Sequence, residues 1–232
     1  MSAVAGRLVP RWRLAALVAG IAWLALLLMA LWVHDSRDPK PIDDTVLRWL
    51  LEHTGTGAQQ AMLALTEPVL TVGGCAVVGL GALIVRRFDV LALAVIGPLG
   101  GLFLESHVLK PWINRLYGLV EELTQGRIKA GYAFPSGHET GLTSLTTLLV
   151  IVLLTSGASR RWKAALTAIA ALWTFVGALG LVRSGYHYFT DTLGGIALAV
   201  GLMLTVALVV DVVAARFSSP AGRGRTRTAR AA

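Results

Sequence analysis

Three short segments of the 232-residue chain contain residues that together could bind and transfer a phosphate group. The first runs from Lys110 to Arg115, the second is 134–139 (Phe-Pro-Ser-Gly-His-Glu), and the third is 183–191. Lysine and arginine side chains bind phosphate oxygens, and an arginine can do so through two parallel hydrogen bonds. The segments therefore predict an anion-binding site with Lys110, Arg115 and Arg183 as its cations.

The second segment has the residues needed to begin a helix that faces an anion. Ser136 is a typical N-cap residue, and Glu139 three positions later completes a capping-box sequence. Helix N-termini bind anions through their backbone N–H groups, and Gly137 would let a phosphate oxygen approach the backbone closely. Ser136 and Gly137 are therefore predicted to bind phosphate. A helix that is merely capped would show the same pattern, and both interpretations stay open at this point.

Two histidines and one aspartate supply the reactive groups. His138 and His187 can each attack phosphorus or donate a proton near neutral pH. Asp191 follows His187 by four residues, one helical turn, so its carboxylate can orient the imidazole and stabilise its cationic form. Together with the anion site, these residues predict phosphoryl transfer through a phosphohistidine, with His187, His138 and Asp191 as catalytic groups.

Several neighbouring residues are expected to have simpler roles. Glu105 is expected to pair with a nearby cation. The single Cys75 excludes an internal disulfide, and no Cys/His cluster has zinc-site spacing, so neither a metal nor another cofactor is expected. We expect three histidines to be structural and three aromatic residues to lie at the membrane interface: His34, His53 and His107, and Trp112, Tyr186 and Tyr188.

The composition indicates that these groups are positioned by membrane-spanning helices. The chain is 55% hydrophobic and 15% charged, whereas soluble domains carry about a quarter charged residues. Its charge-free stretches are long enough to cross a hydrocarbon core of about 30 Å, where each must be a helix to satisfy its own backbone. We predict an all-α polytopic protein, a six-transmembrane-helix bundle. The spans are 14–33, 68–85 (beginning upstream, near 60), 90–104 (continuing to 109), 140–159, 164–182 and 192–210.

The basic residues predict the orientation of the bundle. With a cytoplasmic amino terminus, 13 of the 21 Lys and Arg residues fall on inner segments and eight on outer ones, as the positive-inside rule requires. Both termini are therefore expected in the cytoplasm, and the three polar segments meet at the outer face of a bacterial plasma (inner) membrane. The net charge of +8 is topogenic on this interpretation, and no nucleic-acid partner is expected. The predicted parts are a basic segment 1–13, a membrane domain 14–215 and a basic disordered tail 216–232.

A short amphipathic helix is predicted at 43–53, in the first outer loop. Val46, Leu47, Leu50 and Leu51 share one face of it, and Trp49 suits a membrane interface. The helix could lie on the membrane surface or only cover the loop, and the sequence leaves both open.

Two of the motifs resemble those of the type 2 phosphatidic acid phosphatase family, membrane lipid phosphatases related to vanadium-dependent haloperoxidases. Phe134-Pro-Ser-Gly-His138 resembles the second family motif, and His187-Tyr-Phe-Thr-Asp191 followed by Thr-Leu-Gly-Gly195 resembles the end of the third. The resemblance covers most of the chain, because six spans carry three motifs in the family's order. It implies that His187 is the nucleophile, that Asp191 orients it and that His138 protonates the leaving oxygen. It also implies metal-independent catalysis, with phosphate bound by Ser136, Gly137 and Lys110, the residue that matches the lysine of the first motif.

Two arginines depart from the family pattern. The Arg-Pro that usually ends the first motif is Tyr117-Gly118 here, and the arginine expected six residues before His187 is Leu181. Arg115 and Arg183 are therefore expected to replace these cations at the phosphate.

The expected function is hydrolysis of a lipid phosphomonoester or pyrophosphate, such as undecaprenyl diphosphate, phosphatidate or phosphatidylglycerol phosphate. A lipid phosphotransferase with the same intermediate and a non-catalytic lipid-binding or transport protein of this fold remain as alternatives. The expected partners are the lipid phosphate substrate and membrane lipids; the sequence does not specify the oligomeric state.

Overall fold

The structure, a computed structural model, describes residues 7–36, 38–116 and 131–218. Within these ranges the chain is helical, apart from one isolated β-bridge between Leu116 and Tyr132. Residues 216–218 of the predicted tail belong to the last helix, and 219–232 lie outside the described residues. The helices are α1 (Trp12–Val33), α2 (Pro41–His53), α3 (Thr56–Ala64), α4 (Pro68–Ile84), α5 (Phe88–Phe103), a π-helical turn (Leu104–Leu109), α6 (Lys110–Ile113), α7 (Gly137–Thr155), α8 (Arg160–Arg183) and α9 (Phe189–Ser218).

Six helical segments of the described chain are long and apolar enough to cross a membrane, which confirms the predicted six-span, all-α architecture. The second is longer than the charge-free run suggested, because α3 leads into α4 and the chain bends only at 65–67, before Pro68. The fourth begins three residues early because Ser136 caps it. The segments are Trp12–Val33, Thr56–Ile84, Phe88–Ile113, Gly137–Thr155, Arg160–Arg183 and Phe189–Arg216.

Helix α9 is the central element, in contact with α1, α2, α5, α7 and α8. Its second turn meets the start of α7 closely, because two glycines leave room for the opposing chain. A Cβ on Gly195 would lie 2.7 Å from the Ser136 carbonyl oxygen, and one on Gly194 would overlap the Phe134 ring. The Ser136 N–H donates to the Asp191 carbonyl oxygen (3.0 Å). The second and third sequence motifs are therefore packed against each other.

The predicted loop helix is present as α2, with Pro41 in its first turn. It packs against α8 and α9 rather than standing apart from the bundle. Of its apolar face, Leu50 is buried and Leu51 is exposed. Asp43, which is also buried, accepts a hydrogen bond from the Lys40 N–H (2.8 Å). This helix thus brings an acidic side chain to the end of the bundle that carries the motifs.

The opposite end of the bundle is fixed by a different carboxylate. Asp211, near the end of α9, accepts hydrogen bonds from the backbone N–H groups of Leu8 (2.7 Å) and Val9 (2.9 Å). The segment that precedes α1 is thereby tied to α9.

Candidate active site

A cavity of about 840 Å³ joins the polar motifs to the apolar faces of α4 and α5. The polar end of its wall is formed by Glu105, Lys110, Gly137, His138 and His187. Among these, the cation of Lys110, the backbone at Gly137 and the two imidazoles are groups that could bind or react with a phosphate. The remainder of its wall is almost entirely apolar and reaches Leu83 on α4 and Leu91 on α5. The cavity therefore has polar and titratable groups at one end and a long apolar groove behind them.

The two predicted catalytic histidines face each other across this polar end. His138 lies in the first turn of α7 and His187 just before α9, with ring centroids 6.4 Å apart. His187 Nδ1 lies 3.6 Å from Asp191 Oδ2, within the range of an ion pair but longer than a hydrogen bond. The Tyr188 N–H donates to the same carboxylate oxygen (3.0 Å). The structure therefore brings His138, His187 and Asp191 together.

Ser136 caps α7, as the sequence predicts. Its hydroxyl oxygen accepts a hydrogen bond from the Glu139 N–H (3.4 Å), so the N-cap is confirmed. The reciprocal half of the capping box is not formed, because the Glu139 carboxylate accepts from the Thr143 hydroxyl (2.9 Å) instead. Ser136 is buried, and Gly137 after it forms part of the cavity wall. The helix N-terminus is thus directed at the polar end of the cavity.

Lys110 reaches the cavity through the π-helical turn that precedes it. Its ammonium group lies 2.6 Å from Glu105 Oε1, which confirms that Glu105 pairs with a cation. Glu105 is almost completely buried, and a Cβ on Gly137 would lie only 2.5 Å from the same carboxylate oxygen. The carboxylate of Glu105 therefore lies between Lys110 and the start of α7, where two anion-binding groups converge. π-helical turns are frequent at functional sites.

Arg115 lies behind the histidines and outside the cavity wall. Its side chain is completely buried and donates from Nη1 to Asp191 Oδ1 (2.5 Å) and from Nη2 to Asp43 Oδ2 (2.9 Å). The sequence placed this guanidinium at the phosphate; the structure places it on two carboxylates, because α2 brings Asp43 to it.

Arg183 was also expected to bind the phosphate, but its side chain bonds to another part of the chain. It donates from Nε to the Thr54 hydroxyl (3.0 Å) and from Nη2 to the Thr54 carbonyl oxygen (3.2 Å). It therefore links the end of α8 to the end of α2, and it is not part of the cavity wall. Both substitutes for the missing family arginines thus hold neighbouring elements in place.

The aromatic residues near the site divide into buried and exposed. Tyr188 is buried rather than interfacial, and its ring centre lies 4.5 Å from the Arg115 guanidinium carbon. Burial raises the pKa of Tyr188 to about 12, so the phenol is neutral at physiological pH. Tyr186 lies edge-on to His138, with ring centroids 6.0 Å apart. Trp112 is half exposed, as an interface residue would be.

The three histidines assigned structural roles lie outside the cavity wall and contact near neighbours. His34 pairs with Asp35, His53 bonds the Trp49 carbonyl oxygen, and His107 stacks on Phe103. Across the described residues, no group of three or more His, Cys, Asp and Glu side chains is arranged to hold a metal ion.

Sequence reasoning missed two residues of the site, Asp43 and Thr190. Asp43 accepts hydrogen bonds from the Thr190 N–H (2.7 Å) and hydroxyl (3.1 Å). The position of Asp43 two residues after Pro41 marks it as a capping acid, but nothing in the sequence pairs it with a residue 147 positions away. Thr190 had no sequence signal of its own.

The fold and the site define a multi-pass membrane protein with two histidines facing each other at one end of its helices. The family model described as "PAP2 superfamily" matches residues 90–214, more than half of the chain. The chain belongs to the PAP2 superfamily, which confirms the resemblance found in its motifs.

A solved structure shares the fold across nearly the whole chain. It is described as the crystal structure of the first transmembrane PAP2 type phosphatidylglycerolphosphate phosphatase from Bacillus subtilis. The two chains are 20% identical with a TM-score of 0.62, and the match covers 89% of this chain and 98% of that one. No curated protein sequence matches this chain significantly.

Proposed function

We propose that this protein is a lipid phosphatase that cleaves a phosphomonoester or pyrophosphate bond through a phosphohistidine on His187. The observation that carries the proposal is the cavity itself, which places His138 and His187 at the end of a long apolar groove. Membership of the PAP2 superfamily and the fold shared with a membrane phosphatidylglycerolphosphate phosphatase support the same reaction class.

In the first step, His187 attacks phosphorus. Because Nδ1 is directed at Asp191, Nε2 is the nitrogen that forms the bond to phosphorus, and Asp191 stabilises the positive charge that develops on the ring. The bond from phosphorus to the leaving oxygen breaks, and protonated His138 gives that oxygen its proton. The products of this step are the phosphohistidine and the free lipid alcohol or monophosphate.

In the second step, water replaces the histidine. Neutral His138 accepts a proton from the water as its oxygen attacks phosphorus, and the electron pair of the P–N bond returns to His187. Inorganic phosphate leaves, and both histidines regain their starting protonation states.

Phosphate binding falls to Lys110 and the α7 N-terminus at Ser136 and Gly137. Lys110 exchanges the Glu105 carboxylate for a phosphate oxygen, and the helix N-terminus supplies backbone donors. Arg115 and Arg183 contribute indirectly, because their guanidinium groups hold Asp191 and the end of α2.

The groove between α4 and α5 accounts for a lipid substrate. Its wall extends from Thr66 to Leu83, about 25 Å along the helices at 1.5 Å per residue. A hydrocarbon chain can occupy this groove while the phosphate meets the histidines. The basic-residue distribution favours an extracytoplasmic site in a bacterial plasma membrane, with both termini inside.

Phosphate release by the purified protein tests the proposal. We expect turnover of phosphatidate, phosphatidylglycerol phosphate or undecaprenyl diphosphate in the presence of EDTA, and an acid-labile ³²P label on histidine. His187→Ala should abolish both, whereas His107→Ala, outside the cavity wall, should retain them. Activity that survives in His187→Ala, or that requires a divalent metal, would overturn the proposal.

Two extensions of this assay distinguish a phosphatase from the alternative functions. Transfer of the label to an added lipid alcohol in preference to water would identify a phosphotransferase. Binding of a lipid phosphate without a burst of phosphate in a single turnover would identify a non-catalytic lipid-binding protein.

A further inference from the structure

A buried charge cluster lies directly behind the proposed nucleophile. Arg115 is completely buried between Asp43 and Asp191, which are themselves no more than 2% exposed. Its Nη1 also donates to the Thr190 hydroxyl (2.6 Å). Two carboxylates thus share one guanidinium, and one of them is the carboxylate that faces His187.

The cluster fixes the direction of the Asp191 carboxylate. Arg115 binds Oδ1, while Oδ2 accepts the Tyr188 N–H and faces His187 Nδ1. Asp43 fixes the other end of the guanidinium and the N-terminal turn of α9 through Thr190. Each partner is buried, so the charges interact more strongly than they would in water.

We infer that Asp43 and Arg115 are positioning residues that set the pH range in which the His187–Asp191 pair is ready to react. The inference rests on the proposed function, in which His187 attacks as a neutral imidazole. The pair reacts when Asp191 is ionised and His187 is neutral. A positive charge behind Asp191 favours the loss of a proton from this pair, and a second carboxylate opposes it.

The two residues therefore have opposite expected effects. Without the guanidinium, two buried carboxylates lie together and the site retains an extra proton to higher pH. Arg115→Met should move the acidic limb of the kcat/KM profile up by about one pH unit. Asp43→Asn leaves the guanidinium paired with Asp191 alone, so the acidic limb should move down by a similar amount. The side-chain amide oxygen of the asparagine can still accept a hydrogen bond from the Thr190 N–H.

Other charged or titratable groups on the surrounding elements are unchanged in these variants, so the shifts report the cluster. They are Asp35 and Asp38 from the segment between α1 and α2, Glu105 and Lys110 from the third span, His138 and Glu139 from α7, Arg183 from α8, and Tyr186 and Tyr188 from the loop before α9.

The test is the pH profile of phosphate release by the full chain in detergent. The substrate is the lipid phosphate, among the three named above, that the unaltered protein hydrolyses fastest. Arg115→Lys keeps the charge and should return the acidic limb towards that of the unaltered protein. Asp89→Asn breaks the ion pair with Arg87 (2.7 Å) at the far end of α5 and should leave the limb in place. If Arg115→Met does not fold, the downward shift in Asp43→Asn and the near-normal limb in Arg115→Lys still test the inference.

Three results would overturn it. The acidic limb could stay fixed while kcat falls in both variants, which would make the cluster structural only. The acidic limbs of the Arg115→Met and Asp43→Asn profiles could move in the same direction. Arg115→Met could raise KM and the inhibition constant of inorganic phosphate with no shift in the limb, which would make Arg115 a direct phosphate ligand. Absence of phosphate release by the unaltered protein from phosphatidate, phosphatidylglycerol phosphate and undecaprenyl diphosphate alike would instead refute the proposed function.

Discussion

The two walls of the cavity are built differently. On one side, half of the α7 span is buried, and hydrogen bonds join Thr143 to Glu139 and Thr146 to Thr174. On the other side, only 22% of the span that contains α4 is buried, and its outward residues are apolar. The first wall is polar and fixed by specific bonds; the second is apolar and held mainly by the α4–α5 contact.

Glycine shows the same contrast. At Gly195 on α9 a Cβ would meet the backbone of α7. On α4, a Cβ at Gly74 would meet only the Leu145 side chain, and one at Gly73 or Gly81 would meet no described atom within 4 Å. The difference shows where positional accuracy is required. A reaction at phosphorus needs its groups held in place, whereas a hydrocarbon chain needs only apolar surface of sufficient length. Four predictions test this division, beginning with the largest effect.

His138→Ala should cause the greatest loss, because it removes the proposed acid from the fixed wall. We expect phosphatidate turnover to fall about 10²- to 10⁴-fold. Nitrophenyl phosphate should suffer less in its first step, because its leaving group needs no proton, and a burst of nitrophenol should appear. Equal losses in the rate of the first step with the two substrates would show that His138 does not protonate the leaving oxygen.

Gly195→Ala should separate the starts of α7 and α9. Its Cβ would lie 2.7 Å from the Ser136 carbonyl oxygen, so backbone must move, at an expected cost of about 1–3 kcal/mol in the free energy of unfolding. The matched variant is Gly81→Ala on α4, which should leave stability unchanged or slightly raised. Denaturant unfolding in detergent measures both, and equal destabilisation would contradict the contrast between the walls.

Ala76→Phe should narrow the groove without touching the histidines. Ala76 lines the cavity on α4, so we expect kcat/KM for a long-chain lipid phosphate to fall about tenfold. Activity on nitrophenyl phosphate should be unchanged. The control is Val77→Phe, at a neighbouring exposed position that does not line the cavity. Comparable losses with the long-chain and water-soluble substrates would rule out a chain-binding groove.

Glu105→Gln should produce the smallest change and should improve phosphate binding. The amide cannot neutralise Lys110 as the carboxylate does, so the inhibition constant of inorganic phosphate should fall about three- to tenfold. Glu52→Gln, an exposed substitution on α2, should leave it unchanged. A large fall in kcat with no change in phosphate affinity would instead give Glu105 a role in proton transfer.

The features that the sequence predicted are local or membrane-imposed. The six spans follow from apolar length, and Ser136 caps α7 because the hydrogen bond joins residues three apart. His187 and Asp191 meet because they are one turn apart. Each of these depends on spacing along the chain and not on how the helices pack.

The features that it did not predict depend on packing between distant segments. Arg115 was expected to bind phosphate, because its contact with Asp43, 72 residues earlier in the chain, could not be inferred from the sequence. Tyr188 was expected at an interface, yet the same cluster buries it. The bonds of Arg183 to Thr54 were not predicted for a similar reason, since Thr54 follows the end of α2, a helix that packs against α8.

Helix α9 carries Asp191 near one end and Asp211 near the other, without interruption. These carboxylates are twenty positions apart, about 30 Å along the axis, which is also the thickness of a typical hydrocarbon core. Each is bonded to a different part of the chain, so the helix cannot shorten or slide to suit a thinner bilayer. Thickness mismatch must then be met by tilting the bundle or deforming the lipid. Lipid chain length therefore becomes a mechanical variable that sets how deep the proposed phosphate site lies below the membrane surface.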